Sequence, residues 1–215
     1  IMLLARSEFR NLRKQSRLRI ALVGMSNSGK STLGRQLGKE LGFEFFEVDS
    51  AINQSLGIHS LEESANWLGH PFEEKYLKNR ETYLQLEEQH TRIEFSGTRN
   101  FVLDTTGSII YGSQSLLDWL AQHYLIVGLG VSESLCKLLA DTYFQMPKPV
   151  IWGSEFDPRP HEEPLQALKR CFPSLLQNRT RLYQRLSDVE IAAELVRGGN
   201  LDATRILNEI ESKLP

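Results

Sequence analysis

The chain has 215 residues, 40% of them hydrophobic, and a formal net charge of −2. That length suits one domain with insertions, the apolar content is ample for a core, and the near-neutral charge carries no general nucleic-acid or membrane signature. The two cysteines, Cys136 and Cys171, make no disulfide framework and have no metal-ligand spacing, so two reduced thiols are expected.

The first 18 residues are set apart by charge. Arg6, Arg10, Arg13, Lys14 and Arg17 face only Glu8, with Leu3, Leu4, Phe9 and Leu12 interspersed. Such a basic extension reads as a targeting remnant, a partner helix or a solvated lead-in to the first strand; the lead-in is the default. The chain opens on Ile1, as a piece of a longer protein would.

The apolar run of residues 19–23 predicts a strand, and directly after it Gly24 to Thr32 read Gly-Met-Ser-Asn-Ser-Gly-Lys-Ser-Thr. Leu33, Leu37 and Leu41 then recur at helical spacing, predicting a helix over 30–41. Strand, G-x-x-x-x-G-K-[ST] and helix in that order make a phosphate loop: glycines permit the turn, and backbone N–H groups converge on phosphate at a helix N-terminus. Gly24, Ser26, Asn27, Ser28, Gly29, Lys30, Ser31 and Thr32 are therefore assigned to nucleotide. Lys30 reaches the terminal phosphates, and the Ser31 hydroxyl belongs on Mg²⁺.

Further strands are predicted at 43–48, 101–104, 124–129 and 189–192, and helices at 73–91, 113–121, 132–141, 163–170, 174–186 and 202–213. The alternation implies βαβ units, hence a parallel sheet covered on both faces within one domain over 19–215. Two stretches break it. Residues 57–90 form a polar helical insertion, and residues 142–164 hold five of the eight prolines, including Pro147, as a functional lid would.

Glu47 and Asp49 close the second strand as Glu-Val-Asp, with period-two spacing placing both carboxylates on one side. One suits the Mg²⁺ water shell and the other a substrate hydroxyl; the plain alternative is solvated charge followed by Ser50 as a helix cap. Asp104 ends Phe-Val-Leu-Asp, an apolar-then-acid strand that suits Mg²⁺ through water. Arg179, in Asn-Arg-Thr-Arg-Leu-Tyr, suits a substrate carboxylate, although an arginine on a helix is ordinarily surface charge.

Five pieces in order, at 24–41, 43–49, 67–81, 102–111 and 176–188, resemble the shikimate kinases and their relatives. The resemblance implies a P-loop, nucleoside-monophosphate-kinase-like three-layer α/β sandwich with a five-stranded parallel sheet, a substrate-binding insertion and a mobile lid. It also implies ATP and Mg²⁺ as cofactors and a small hydroxylated acid, shikimate foremost, as acceptor. Position by position, Asp49 matches the residue that holds the acceptor hydroxyls and acts as base. Arg179 matches one that grips the acceptor carboxylate, Gly107 one glycine of a Gly-Gly-Gly substrate loop, and Ser31 and Glu47 the Mg²⁺ positions.

Several positions depart from the pattern. Lys78 stands for a second carboxylate-gripping arginine, which an ammonium cannot replace as a planar fork. Thr106 and Ser108 replace two glycines. Lys148 stands where the lid offers an arginine to the transferring phosphate, with Arg159 as another cation in reach, and Asp141 where an arginine packs on adenine. The expectation is a kinase with catalytic Lys30, Asp49 and Lys148, substrate residues Asp49, Lys78, Gly107 and Arg179, and metal residues Ser31, Glu47 and Asp104. The alternatives are a non-catalytic relative that keeps nucleotide binding, or a kinase with a different acceptor. A monomer in the cytoplasm, or alternatively the plastid stroma, is expected, with no nucleic-acid or membrane partner.

Overall fold

The computed structural model describes residues 4–93, 95, 97–145, 148–199 and 202–215; Leu3 and Pro147 lie outside them. Five parallel strands, β1 (Arg19–Val23), β2 (Glu44–Glu47), β3 (Phe101–Asp104), β4 (Leu125–Gly130) and β5 (Val189–Ala192), form one sheet in the order β2-β3-β1-β4-β5. Apart from Arg19 at the start of β1 and Asp104 at the end of β3, β1, β3 and β4 are apolar because helices cover both faces, whereas the edge strand β5 alternates buried and exposed residues. All five strands predicted from the sequence are present, with β2 one residue shorter at each end.

Register fixes where the acids stand. Asp104 is level with Leu22 of β1 and with Glu47 of β2, so the carboxyl ends of three strands reach one edge beside the phosphate loop. Helix α2 (Lys30–Leu41) begins there and buries Leu33 and Leu37. Its Gly34 lies flat on Phe45, where an added Cβ would come within 2.2 Å of the ring.

Four local readings are corrected. First, residues 6–14 are not a solvated lead-in. They form α1 (Arg6–Lys14), whose Phe9 is 0% exposed and which packs on α10 (Ala203–Ser212). Arg6 Nε donates to the Leu214 carbonyl (2.7 Å) and Arg10 pairs with Glu211 (2.6 Å), so the basic charges tie the N-terminal helix to the C-terminal one. Second, β2 stops at Glu47, and residues 48–56 form a helix, α3 (Val48–Leu56). Weak helix formers hide it in sequence; Val48 and Ile52, buried where α3 meets the insertion, decide it.

Third, the predicted break near Pro173 does not occur: the eighth helix runs unbroken over Pro164–Leu186. An internal proline costs about 3 kcal/mol, but Leu168, Cys171, Phe172, Leu175 and Leu176 are buried on both sides of it. The Phe172 ring stacks on Tyr143 at 4.3 Å. Fourth, a short helix at Ala193–Arg197 follows β5 where none is expected.

The insertion contains α4 (Leu61–Leu68), capped by the Ser60 hydroxyl, and α5 (Tyr76–Thr91). α6 (Gln114–His123) and α7 (Glu133–Gln145) follow, the latter taking up the first residues assigned to the lid. With α8 (Pro164–Leu186) and α9 (Ala193–Arg197) the helical layers are complete among the described residues.

If α1 belongs to the domain, Phe9→Ala costs about 3 kcal/mol, in the range for truncating a buried aromatic. Urea unfolding measures it, and an unchanged midpoint would return residues 6–14 to a detached extension.

Candidate active site

At the carboxyl ends of β1, β2 and β3 lies a cleft of about 690 Å³, lined by the phosphate loop, the start of α3, α5, the loop after β3, α8 and α9. Ligands collect at this edge of open α/β sheets because the strand order reverses there. The loop takes its shape from positive φ at Gly24 (149°), Asn27 (65°) and Gly29 (107°). At Gly29 a side chain would also strike Val196, 2.8 Å from an added Cβ. Ser26, Asn27, Gly29, Lys30, Ser31 and Thr32 line the cleft, while Gly24 and the buried Ser28 lie beneath. Lys30 Nζ donates to the Gly24 and Met25 carbonyls (3.0 and 3.1 Å), which holds its charge at the loop mouth.

The carboxylates occupy different environments. Glu47 caps α3 and lines the cleft. Burial works to raise it, but the Ser31 and Ser50 hydroxyls and Arg35 outweigh that and hold it below its ordinary range. Asp49 is not on a strand. It sits in the first turn of α3, and Ser50, expected as the cap, is inside the helix with its hydroxyl donating to Glu47 (2.7 Å). Burial raises Asp49, against the Tyr83 hydroxyl, which donates to its Oδ1 (2.6 Å), and the charge of Lys30.

Asp104 is buried behind Ser31, whose hydroxyl donates to Oδ2 (2.6 Å); burial pushes it up to about 6. Its Oδ1 is buried with no partner among the described residues. An orphaned acceptor beside a phosphate-loop hydroxyl suits a hydrated divalent cation, and Ser31, Glu47 and Asp104 are the residues that would hold it. Among the described residues no group of three His, Cys, Asp or Glu side chains could hold a metal ion by itself.

On the opposite wall Arg179 is buried, not surface charge. Its Nη2 donates to the Ile151 carbonyl (2.6 Å) and Nη1 to the Gly107 carbonyl (3.3 Å), and the guanidinium lies over the Tyr111 ring at 5.4 Å. The Tyr183 hydroxyl donates to the same Gly107 oxygen (2.5 Å). Gly107 faces the phosphate loop so closely that a Cβ would stand 3.2 Å from Ser26 Oγ.

Two expected residues stay apart. Lys78 is exposed on α5 and does not line the cleft. Arg159 is exposed, its backbone N–H donating to Glu162 (3.0 Å). The lid-side cation in the cleft is Lys148, which donates to Asn27 Oδ1 and whose ammonium is lowered by burial. Asp141 is exposed on α7. The lid sequence is anchored: Ile151 and Trp152 are buried, Trp152 N–H donates to the Tyr76 hydroxyl (2.6 Å), and Arg170 ties Glu162 and the Asp157 carbonyl to α8.

Sequence reasoning missed Tyr83, Glu87 and Arg197. Arg197 donates to the Asn27 carbonyl and lines the cleft from α9. Glu87 is fully buried and accepts the hydroxyls of Thr106 and Ser108. Tyr76, Tyr83 and Glu87 do recur at helical spacing, but only tertiary contact shows that this face meets a site.

A family model for shikimate kinase matches residues 26–211. The chain is 28% identical over 193 residues to shikimate kinase 1 of Yersinia pestis, covering 90% of this chain and 96% of that one. It is 27% identical over 176 residues to shikimate kinase of Blochmanniella floridana, covering 82% and 84%. Among solved structures it is similar to shikimate kinase from Acinetobacter baumannii in complex with shikimate, with a TM-score of 0.60, 23% identity and coverage of 94% and 97%.

Burial also pushes Glu87 from its ordinary 4.5 up to about 7. Between those values the folded chain binds more protons than the unfolded one, so this group's contribution to stability falls as pH rises and is lowest above about 7. Glu87→Gln is expected to flatten that part of the stability profile, gaining on the wild type as pH rises from 4.5 to about 7. Urea midpoints across the range check it.

Proposed function

This chain belongs to the shikimate kinase family, and we propose on that footing that it moves the γ-phosphate of ATP to a hydroxyl of shikimate. It is a small-molecule kinase, an ATP:alcohol phosphotransferase. The observation that supports the residue assignment is that Lys30, Ser31, Asp49 and Arg179 all line one cleft.

The roles follow from chemistry. The N-terminus of α2 and Lys30 hold the β and γ phosphates. Mg²⁺, held by Ser31, Glu47 and Asp104, would supply charge neutralisation at the phosphates. Arg179 binds the acceptor carboxylate: a buried guanidinium whose partners are neutral carbonyls and aromatic groups gains most from an anion. Asp49 takes the proton of the attacking hydroxyl, and burial, by raising its basicity, suits it to that task. Tyr83 occupies one oxygen of Asp49 and so orients the other. Lys148 approaches the phosphate loop from the lid side and is the cation available to the transferring group. We read the enzyme as a monomer. We place it in the cytoplasm, and among the described residues no helix is long and apolar enough to cross a membrane.

Coupled ADP release with ATP, Mg²⁺ and shikimate tests the reading. Release should depend on shikimate and vanish in Lys30→Ala. ATP binding without shikimate-dependent release would reject shikimate as acceptor and favour a non-catalytic relative or another substrate. Asp49→Asn should lower kcat by about 10²- to 10⁴-fold, the usual worth of a positioned base. In Arg179→Lys, loss of the planar fork should raise the shikimate KM about tenfold with the ATP KM little changed; equal shifts in both would remove Arg179 from the acceptor site.

A further inference from the structure

α5 lies on the acceptor side of the cleft yet brings it no cation, because Lys78 faces solvent. Its buried face carries polar groups instead. Tyr76 holds the Trp152 backbone, Tyr83 holds Asp49, and Glu87, a turn further on, reaches the loop after β3. Glu87 is 0% exposed. A single oxygen, Oε1, accepts both the Thr106 hydroxyl and the Ser108 hydroxyl (2.5 Å). The two hydroxyls contact one another (3.0 Å), and Ser108 N–H donates to Thr106 Oγ1 (3.1 Å), so residues 106–108 close into a hydrogen-bonded ring on α5.

Gly107 lies between them. Its carbonyl is fixed from the other side by Arg179 and Tyr183, and its α-carbon faces Ser26 of the phosphate loop. The loop is thus gripped on two sides, by α8 through a backbone carbonyl and by α5 through side chains. Without Glu87, two buried hydroxyls would lose their acceptor, and the loop would reorganise to satisfy them. Burying a carboxyl here is costly, first because it loses water and then because Asp49 repels it, against the attraction of Arg179. Its Oε2 has no partner among the described residues.

We propose that Glu87 is a positioning residue for the acceptor: by binding the Thr106 and Ser108 hydroxyls it holds Gly107 at the set distance from Ser26 and Arg179 that the acceptor pocket requires. Glu87 touches no reacting atom and acts through the loop. This rests on the kinase reading, and the experiment keeps the two separable by including a measurement made without turnover.

Glu87→Ala and Glu87→Gln are compared with the wild type for the shikimate KM, the ATP KM and amide hydrogen exchange at Gly107 and Ser108. In Glu87→Ala the shikimate KM should rise about tenfold, the equivalent of one to two hydrogen bonds, with the ATP KM unchanged and loop exchange accelerated. Glu87→Gln keeps an acceptor oxygen and should restore both the shikimate KM and the protection. Unchanged loop exchange in Glu87→Ala, or shikimate and ATP KM values that move together in both variants, would overturn the proposal. If Glu87→Ala does not fold, Glu87→Gln and Thr106→Val/Ser108→Ala decide it. The double variant removes the tether from the loop side and should reproduce the selective rise in shikimate KM; no rise there would also overturn the proposal. Wild-type turnover tests the kinase reading separately, whereas loop exchange reports on the tether with or without turnover.

Discussion

Arg179 carries a full positive charge inside the protein, 5% exposed, and among the described residues no carboxylate is within salt-bridge distance. Holding such a charge is expensive unless its donors are satisfied. The protein meets part of that cost with the carbonyls of Gly107 and Ile151 and the face of Tyr111, while Nε is buried without a partner among the described residues. Those contacts bind two separate segments, the stretch from Gly107 to Tyr111 after β3 and the lid sequence, to one point on α8. The acceptor side of the cleft is arranged around that point. A guanidinium held mainly by neutral groups also keeps its capacity for an anion.

The opposite wall is governed by acids under different pressures. Glu47 is held low by hydroxyls and Arg35, whereas burial lifts Asp49 and Asp104. Separation of this kind divides labour among carboxylates: the most buried suit proton transfer or hydrated metal, and the more solvated one stays charged. The Tyr83 hydroxyl on Asp49 and the Ser31 hydroxyl on Asp104 then fix which oxygen of each acid stays free.

The departures from the family pattern acquire physical meaning once their neighbours are known. Thr106 and Ser108 do not crowd the loop indiscriminately, because their hydroxyls are drawn to Glu87 on α5. Lys78 is exposed and, among the described residues, no cation of α5 lines the cleft, but its tyrosines hold the lid sequence and Asp49. Lys148 reaches the phosphate loop while Arg159 stays at the surface.

The phosphate loop, the five strands and their parallel arrangement were legible in the chain because each is a local pattern: glycines at set spacing, apolar runs, an acid at a strand end. Lys30, Ser31, Asp49, Asp104 and Arg179 were legible as candidates for the same reason. α3 was not, because Val48–Leu56 has little helical propensity of its own and is stabilised by packing. The continuity of α8 through Pro173 was hidden by a local rule that buried side chains override. Phe9 looked like part of a detached basic segment until α10 supplied its cover. Glu87, Tyr83 and Arg197 carried no motif, since what each does depends on a partner 19, 34 or 170 residues away. The sequence alone determined the chemistry class, which local backbone geometry dictates. Tertiary structure alone decided which side chains face the cleft and in what charge environment, because burial and long-range hydrogen bonds exist only after the chain has packed.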